Sequence, residues 1–251
     1  MKRFYINLIA LISVILLNIL ANILPINGQT TGEISNRLNV FFTPAGYVFS
    51  IWAIIYALLL VWVLRQSLKW QRDRDVYRKT SALFVISCIL NIIWIFMWHY
   101  EVFAGSVFIM IGLLATLTLL YLTIQRQDMT FFDRLPFSVY LGWVSVAMIA
   151  NISYSLTYYY WSGWGISDIL WTVILLLFAA ALALHIRYHK NDWVYPLVFV
   201  WAFIGIGVKN EENASVIVFT AYVLSVVIMI GIFMLRRKQK KLNFSSRKLK
   251  F

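Results

Sequence analysis

Apolar residues in this chain gather into eight stretches that carry no acidic or basic side chain in their interiors, with the charges confined to the segments between them. The stretches run at roughly 4–24, 45–64, 80–98, 103–124, 135–157, 166–184, 193–208 and 214–235. A helix needs about 20 mainly apolar residues to cross a hydrocarbon core ~30 Å thick, so each reads as a membrane span, the seventh being the shortest. The pattern predicts an all-α, polytopic membrane helix bundle with about eight transmembrane helices.

Charge placement supports the same count. With both ends of the chain on one side, all Lys and Arg residues but Arg37 and Lys209 fall on that side, while the acidic residues divide evenly. Cytoplasmic loops are enriched in Lys and Arg, so the sequence predicts a multi-pass protein of a cell (inner or plasma) membrane with both termini cytoplasmic. The formal net charge of +12 is then a topological signal, and no nucleic-acid partner is expected. The tail from Arg236 to Lys250 reads as a stop-transfer flank, with binding to anionic membrane lipid as the second reading. The first span is too long for a signal-peptide core and is read as an uncleaved anchor.

Cys88 stands alone inside the third span, so no disulfide framework or thiolate cluster is expected. His185 and His189 share a helical face without a third ligand, and interfacial histidines explain them better than a metal site. The span interiors hold no ionisable residue, which argues against ion-coupled pumps and voltage sensors. They hold no positioned base or nucleophile either, so a conventional enzyme is not expected.

What remains is aromatic and amide chemistry at helical spacing. Phe49, Trp52 and Tyr56 share a face of the second span. Asn91, Trp94 and Trp98 repeat the step in the third, and Tyr140, Trp143, Ala147, Asn151 and Tyr154 in the fifth. These faces line one pocket or, on the alternative reading, pack helices together. Tyr158, Tyr159, Tyr160, Trp161 and Trp164 read as an outer aromatic belt, with Trp70 and Trp193 at the inner interface.

Three motifs on those faces carry a resemblance. Thr43-Pro-Ala-Gly-Tyr-Val-Phe-Ser-Ile-Trp-Ala-Ile-Ile-Tyr56 resembles the second-helix signature of the tryptophan-rich sensory protein (TspO/MBR, or translocator) family. Leu90-Asn-Ile-Ile-Trp94 resembles its third-helix motif, and Tyr140-Leu-Gly-Trp-Val-Ser-Val-Ala147 followed by Asn151 resembles its fifth. Departures are local: Pro44-Ala45 replaces paired prolines, the following aromatic-to-Trp interval is one residue shorter, and Val139 stands where a Pro usually precedes the Tyr. The likeness covers about residues 1–160 and divides the chain into a five-helix core (1–160), three added helices (161–235) and a basic tail (236–251).

The resemblance implies a bundle that binds flat, hydrophobic ligands, notably porphyrins, without a required cofactor, and a homodimer as an assembly. It matches Trp52 and Trp143 to the tryptophans that face porphyrin in similar bacterial proteins. Phe49, Tyr56, Asn91, Trp94, Tyr140, Ala147 and Asn151 complete the expected ligand-binding set. The family's sterol motif is not matched, since no Lys or Arg follows Tyr154 within the fifth helix. The expected function is membrane binding and sensing of tetrapyrrole-like ligands. The alternatives are small-molecule export, suggested by the added helices and by Pro196, Gly205 and Gly207, and light-dependent porphyrin degradation, reported for some similar proteins.

Overall fold

The computed structural model of the chain describes residues 1–24 and 26–235. The basic tail and its lipid-binding reading lie outside the described residues. In chain order the α-helices are α1 (Lys2–Ile23), α2 (Thr31–Arg37), α3 (Ile51–Arg65), α4 (Asp75–His99), α5 (Phe103–Gln125), α6 (Phe131–Tyr158), α7 (Asp168–Lys190), α8 (Val194–Asn210) and α9 (Ser215–Met234), with no strand among the described residues. Seven are long and apolar enough to cross a membrane, counting α3 together with the tight 3-10 turn Gly46–Ser50 that leads into it. Helix α8, at 17 residues, is the shortest expected span and falls at the lower limit for crossing. The protein is a polytopic helical membrane bundle.

Helices α1, α3, α4, α5 and α6 pack as one group, and α8 lies on α6 and brings α7 and α9 with it. Helix α6 is the inner one: 72% of its apolar window is buried, against 22–39% in the other six long spans. Its side chains bond to several different neighbours along its length. Asn91 on α4 donates to the Tyr140 hydroxyl at 2.9 Å, Tyr195 on α8 donates to Ser145 Oγ at 2.9 Å, and Asn151 donates to Ser106 on α5 at 2.9 Å. Helix α1 joins through Asn18, which donates to Asn91 at 3.2 Å, and through Asn7, which donates to Gln66 at 2.9 Å and accepts from Ser81 at 2.8 Å.

The basic end of the bundle is closed by two buried carboxylates. Asp133 caps its own helix in a reciprocal box with Thr130, and Arg74 and Arg65 approach it at 2.9 and 3.7 Å. Asp192 accepts from Tyr121 and Ser138 and, through its other oxygen, from the Val194 and Tyr195 amides that open α8. Arg134 stands 3.7 Å from it. Trp70 and Trp193 are exposed at this end, and Tyr159, Tyr160 and Trp164 at the opposite one, as an interfacial belt requires.

Sequence and structure differ at the second span. The second span is not a single α-helix from residue 45, because Phe49 lies in the 3-10 turn and regular helix begins at Ile51. Nor do Pro196, Gly205 and Gly207 break α8. Pro196 occupies its first turn, where a missing N–H leaves no bond unmade, and the helix runs through to Asn210. The glycines permit close packing instead. A Cβ at Gly205 would run into the Val48 side chain, and one at Gly207 would lie 2.6 Å from the Tyr222 ring. At the first of these contacts the Ala45 amide donates to the Gly205 carbonyl at 3.0 Å, and Trp201 donates through Nε1 to the Val48 carbonyl at 3.1 Å. Helix α8 therefore braces the turn that leads into α3.

Overpacking a close contact destabilises by about 1–3 kcal/mol. Gly205→Val is expected to lower the thermal unfolding midpoint in detergent, whereas Gly32→Ala, where a Cβ meets nothing within 4 Å, leaves it unchanged or raises it.

Candidate functional site

The turn Gly46–Ser50 ends two residues before Trp52, and this places Phe49 and Trp52 against α6. The Phe49 and Trp143 rings meet edge-on at 5.7 Å, and the Trp52 and Trp143 rings at 6.3 Å. Across from them, Trp94 and Trp98 stack at 5.7 Å and 22° on α4. Between the two aromatic walls runs a cleft with about 550 Å³ of empty space, its open mouth included. Its walls include Phe49, Trp52, Trp94, Trp143, Ala147 and Asn151, six of the nine residues expected from sequence.

The other three stand behind the wall. Tyr140 is edge-on to Trp52 at 5.8 Å and holds Asn91, which is fully buried and occupied on both sides by Asn18 and Tyr140. Tyr56 stacks on Trp52 at 5.5 Å and 20°. These side chains set the angle of the Trp52 indole without lining the cleft. Asn91 is a helix-joining amide, whereas Asn151 does both jobs: it lines the cleft and accepts from Trp94 Nε1 at 3.3 Å.

The sequence-based set omits part of the lining. Trp98 and Tyr154 continue the α4 and α6 stripes by one more helical step, so spacing alone marks them. Thr31 and Ser35 come from α2, which covers the mouth. Its start is legible as Thr30-Thr-Gly-Glu33, a capping box that forms in full. Glu33 consequently has its carboxyl held below the ordinary value by its bonds to the Thr30 backbone and hydroxyl.

Polar bonds tie this cover to the α4–α5 corner. Asn27 donates to the His99 carbonyl at 3.0 Å, and Arg37 pairs with Glu101 at 2.6 Å. The ring of His99 has Nδ1 2.8 Å from the Ile95 carbonyl, which is an acceptor only, so Nδ1 carries a proton, and Nε2 lies 3.3 Å from Thr31 Oγ1. The hydrogen bond from Arg37 holds the Glu101 carboxyl below its ordinary value.

Two indole donors on residues that line the cleft have no protein acceptor, and the Tyr154 hydroxyl is likewise buried without a hydrogen-bond partner. The indole N–H groups of Trp98 and Trp143 are buried and unbonded, and both residues line the cavity. A buried N–H without a partner costs about 1–3 kcal/mol, so the site favours a guest that presents acceptors to it. Among the described residues no three His, Cys, Asp or Glu side chains converge as metal ligands. The chemistry offered is therefore aromatic faces, two indole donors and a mainly apolar lining.

Because the folded-state pKa of Glu101 is depressed, its contribution to holding α2 is present above the ordinary carboxylate pKa and is lost as pH falls through the lowered value. Glu101→Gln removes it at all pH values. Hydrogen exchange at residues 31–37 is expected to quicken severalfold in that variant at neutral pH, and acid is expected to quicken it in the wild type beyond the correction for intrinsic exchange.

A family model described as TSPO-like protein matches residues 4–234. The match runs through α7, α8 and α9 as well as the five-helix group that holds the cleft. Comparison with curated proteins and with solved structures gives no match.

Proposed function

The chain belongs to the TSPO-like protein family, and from that premise we propose that it binds a flat, hydrophobic ligand with acceptor groups on its edge, of the porphyrin type, in the cleft between α3, α4 and α6. The observation that carries this reading is the pairing of indole faces with two unbonded indole N–H groups in one apolar cavity. A conjugated ring gains from the aromatic walls, and propionate or carbonyl oxygens would complete the two donors. Trp52 and Trp143 are assigned to stacking, Trp98 and Trp143 to donation, and Asn151 to fixing the Trp94 ring.

The protein would act as a membrane binder and sensor of such a ligand, with both ends of the chain at the cytoplasmic face of an inner or plasma membrane. The distribution of Lys and Arg supports that orientation. Export has less support, because α8 is continuous where a carrier of that kind would use a discontinuous helix. Breakdown of bound porphyrin would require light, since the cleft supplies no general base.

Titration of the purified protein with protoporphyrin IX, followed by tryptophan quenching corrected for inner-filter effects, tests the reading. Saturable binding is expected, weakened about tenfold in Trp52→Phe/Trp143→Phe, as two weakened stacking contacts and one lost donor imply. Equal affinity in the double variant, or no saturable binding by folded wild type, overturns it. Product analysis after illumination beside a dark control separates turnover from binding.

A further inference from the structure

We propose that a second pocket, at the basic end of the bundle, binds a phosphate-bearing anion, carried by a phospholipid headgroup or free in solution. The proposal is independent of the aromatic cleft. The pocket lies between the start of α1 and the loop that joins α3 to α4, with about 700 Å³ of empty space including its mouth. Lys2, Arg3, Gln66, Arg72 and Asp73 supply its charged and amide lining, and Phe4 and Ile6 give it an apolar flank.

Two donors in this pocket have no acceptor. Gln66 is 3% exposed, and its Oε1 is taken by Asn7 Nδ2 at 2.9 Å. The Asn7 amide is oriented in turn by Ser81, whose hydroxyl donates to Asn7 Oδ1 at 2.8 Å. This chain of bonds leaves Gln66 Nε2 buried without a partner. Arg72 has its Nε in the same state, while its Nη2 makes only a long bond, 3.4 Å, to the Ser67 carbonyl. A buried amide N–H and a buried guanidinium N–H, on two residues that line one pocket, call for an acceptor with several oxygens.

Charge points the same way. Among the described residues neither Lys2 nor Arg3 forms an ion pair, and the one carboxylate in the lining, Asp73, is exposed at the rim. Three cations against one carboxylate favour an anion, and a phosphate can accept from the Arg72 guanidinium and the Gln66 amide at once where a single carbonyl would leave one unmet. The apolar flank and the start of α1 set the pocket at the membrane surface, where basic groups attract anionic headgroups.

The full chain is purified in a neutral detergent and offered phosphatidylglycerol, phosphatidylcholine or inorganic phosphate, with bound lipid counted by native mass spectrometry and the unfolding midpoint recorded with each. Wild type is expected to retain phosphatidylglycerol at least tenfold better than phosphatidylcholine if the anion is a headgroup, or to be stabilised by millimolar inorganic phosphate without lipid preference if it is free. Arg72→Gln and Gln66→Glu are each expected to weaken that response about tenfold. The glutamate keeps an oxygen for Asn7 while replacing the free donor by a negative charge. Lys2→Ala/Arg3→Ala, at exposed positions, provides a variant whose folding is not in question and is expected to weaken it severalfold. Absence of any response to either probe, or an undiminished response in all three variants, overturns the proposal; the second result would place the anion elsewhere, for instance on residues 236–251.

Discussion

Helix α6 is the element on which the rest of the arrangement depends. Lipid offers no hydrogen bonds, so polar side chains within the bundle must find partners on neighbouring helices, and many of those bonds terminate on α6. Tyr140 takes Asn91 from α4, Ser145 takes Tyr195 from α8, and Asn151 takes Trp94 and Ser106 from α4 and α5. Interhelical hydrogen bonds in membranes average only about 0.6 kcal/mol. Their effect here is accordingly on register more than on strength: each fixes how far a neighbour is slid and rotated against α6, and this brings Trp143 opposite Phe49 and Trp52.

The helices were readable from the absence of charge, and the aromatic stripes from a step of three or four, because both are properties of one segment at a time. What one segment could not reveal was which partner each polar residue has. Asn7 and Asn18 sit in a span that reads as a plain anchor, yet they tie α1 to Gln66, Ser81 and Asn91. Asn91 sits in a motif that suggests a ligand contact, yet both ends of its amide are used by the protein. Asp133, Arg134 and Asp192 lie in what the sequence presents as wet basic loops. Their burial comes from loops folding over the bundle end, a tertiary event without periodicity to announce it. Helix α2 lies between the expected spans and went unread; the capping box that starts it is a local signal, its place over the cleft is not.

The three C-terminal helices also acquire a role that sequence left open. The segment ahead of α3 is not regular helix, so its backbone groups lack the partners that an α-helix would supply, and α8 provides some of them. Asn210 donates to the Phe41 carbonyl at 3.0 Å, Trp201 to that of Val48, and the Gly205 carbonyl accepts from Ala45. An irregular backbone at this depth is tolerated where protein surrounds it. The turn that positions Phe49 and Trp52 is thus held by helices outside the five that form the cleft.

That bracing decides which wall of the cleft yields to a guest. The cleft is narrow, and a ring the size of a porphyrin must displace something to enter it. On one side stands the α3 entry, held by buried backbone bonds and by a glycine contact that leaves no slack at Val48. On the other stands α2, seven residues long, whose strongest tie is an ion pair with both partners about one-third exposed. Exposed pairs contribute ~0–1 kcal/mol, whereas leaving buried polar groups unpaired costs about 1–3 kcal/mol each. The difference makes α2 the weaker wall, so under the proposed binding the cover over Trp98 and Tyr154 would lift while Trp52 and Trp143 keep their geometry.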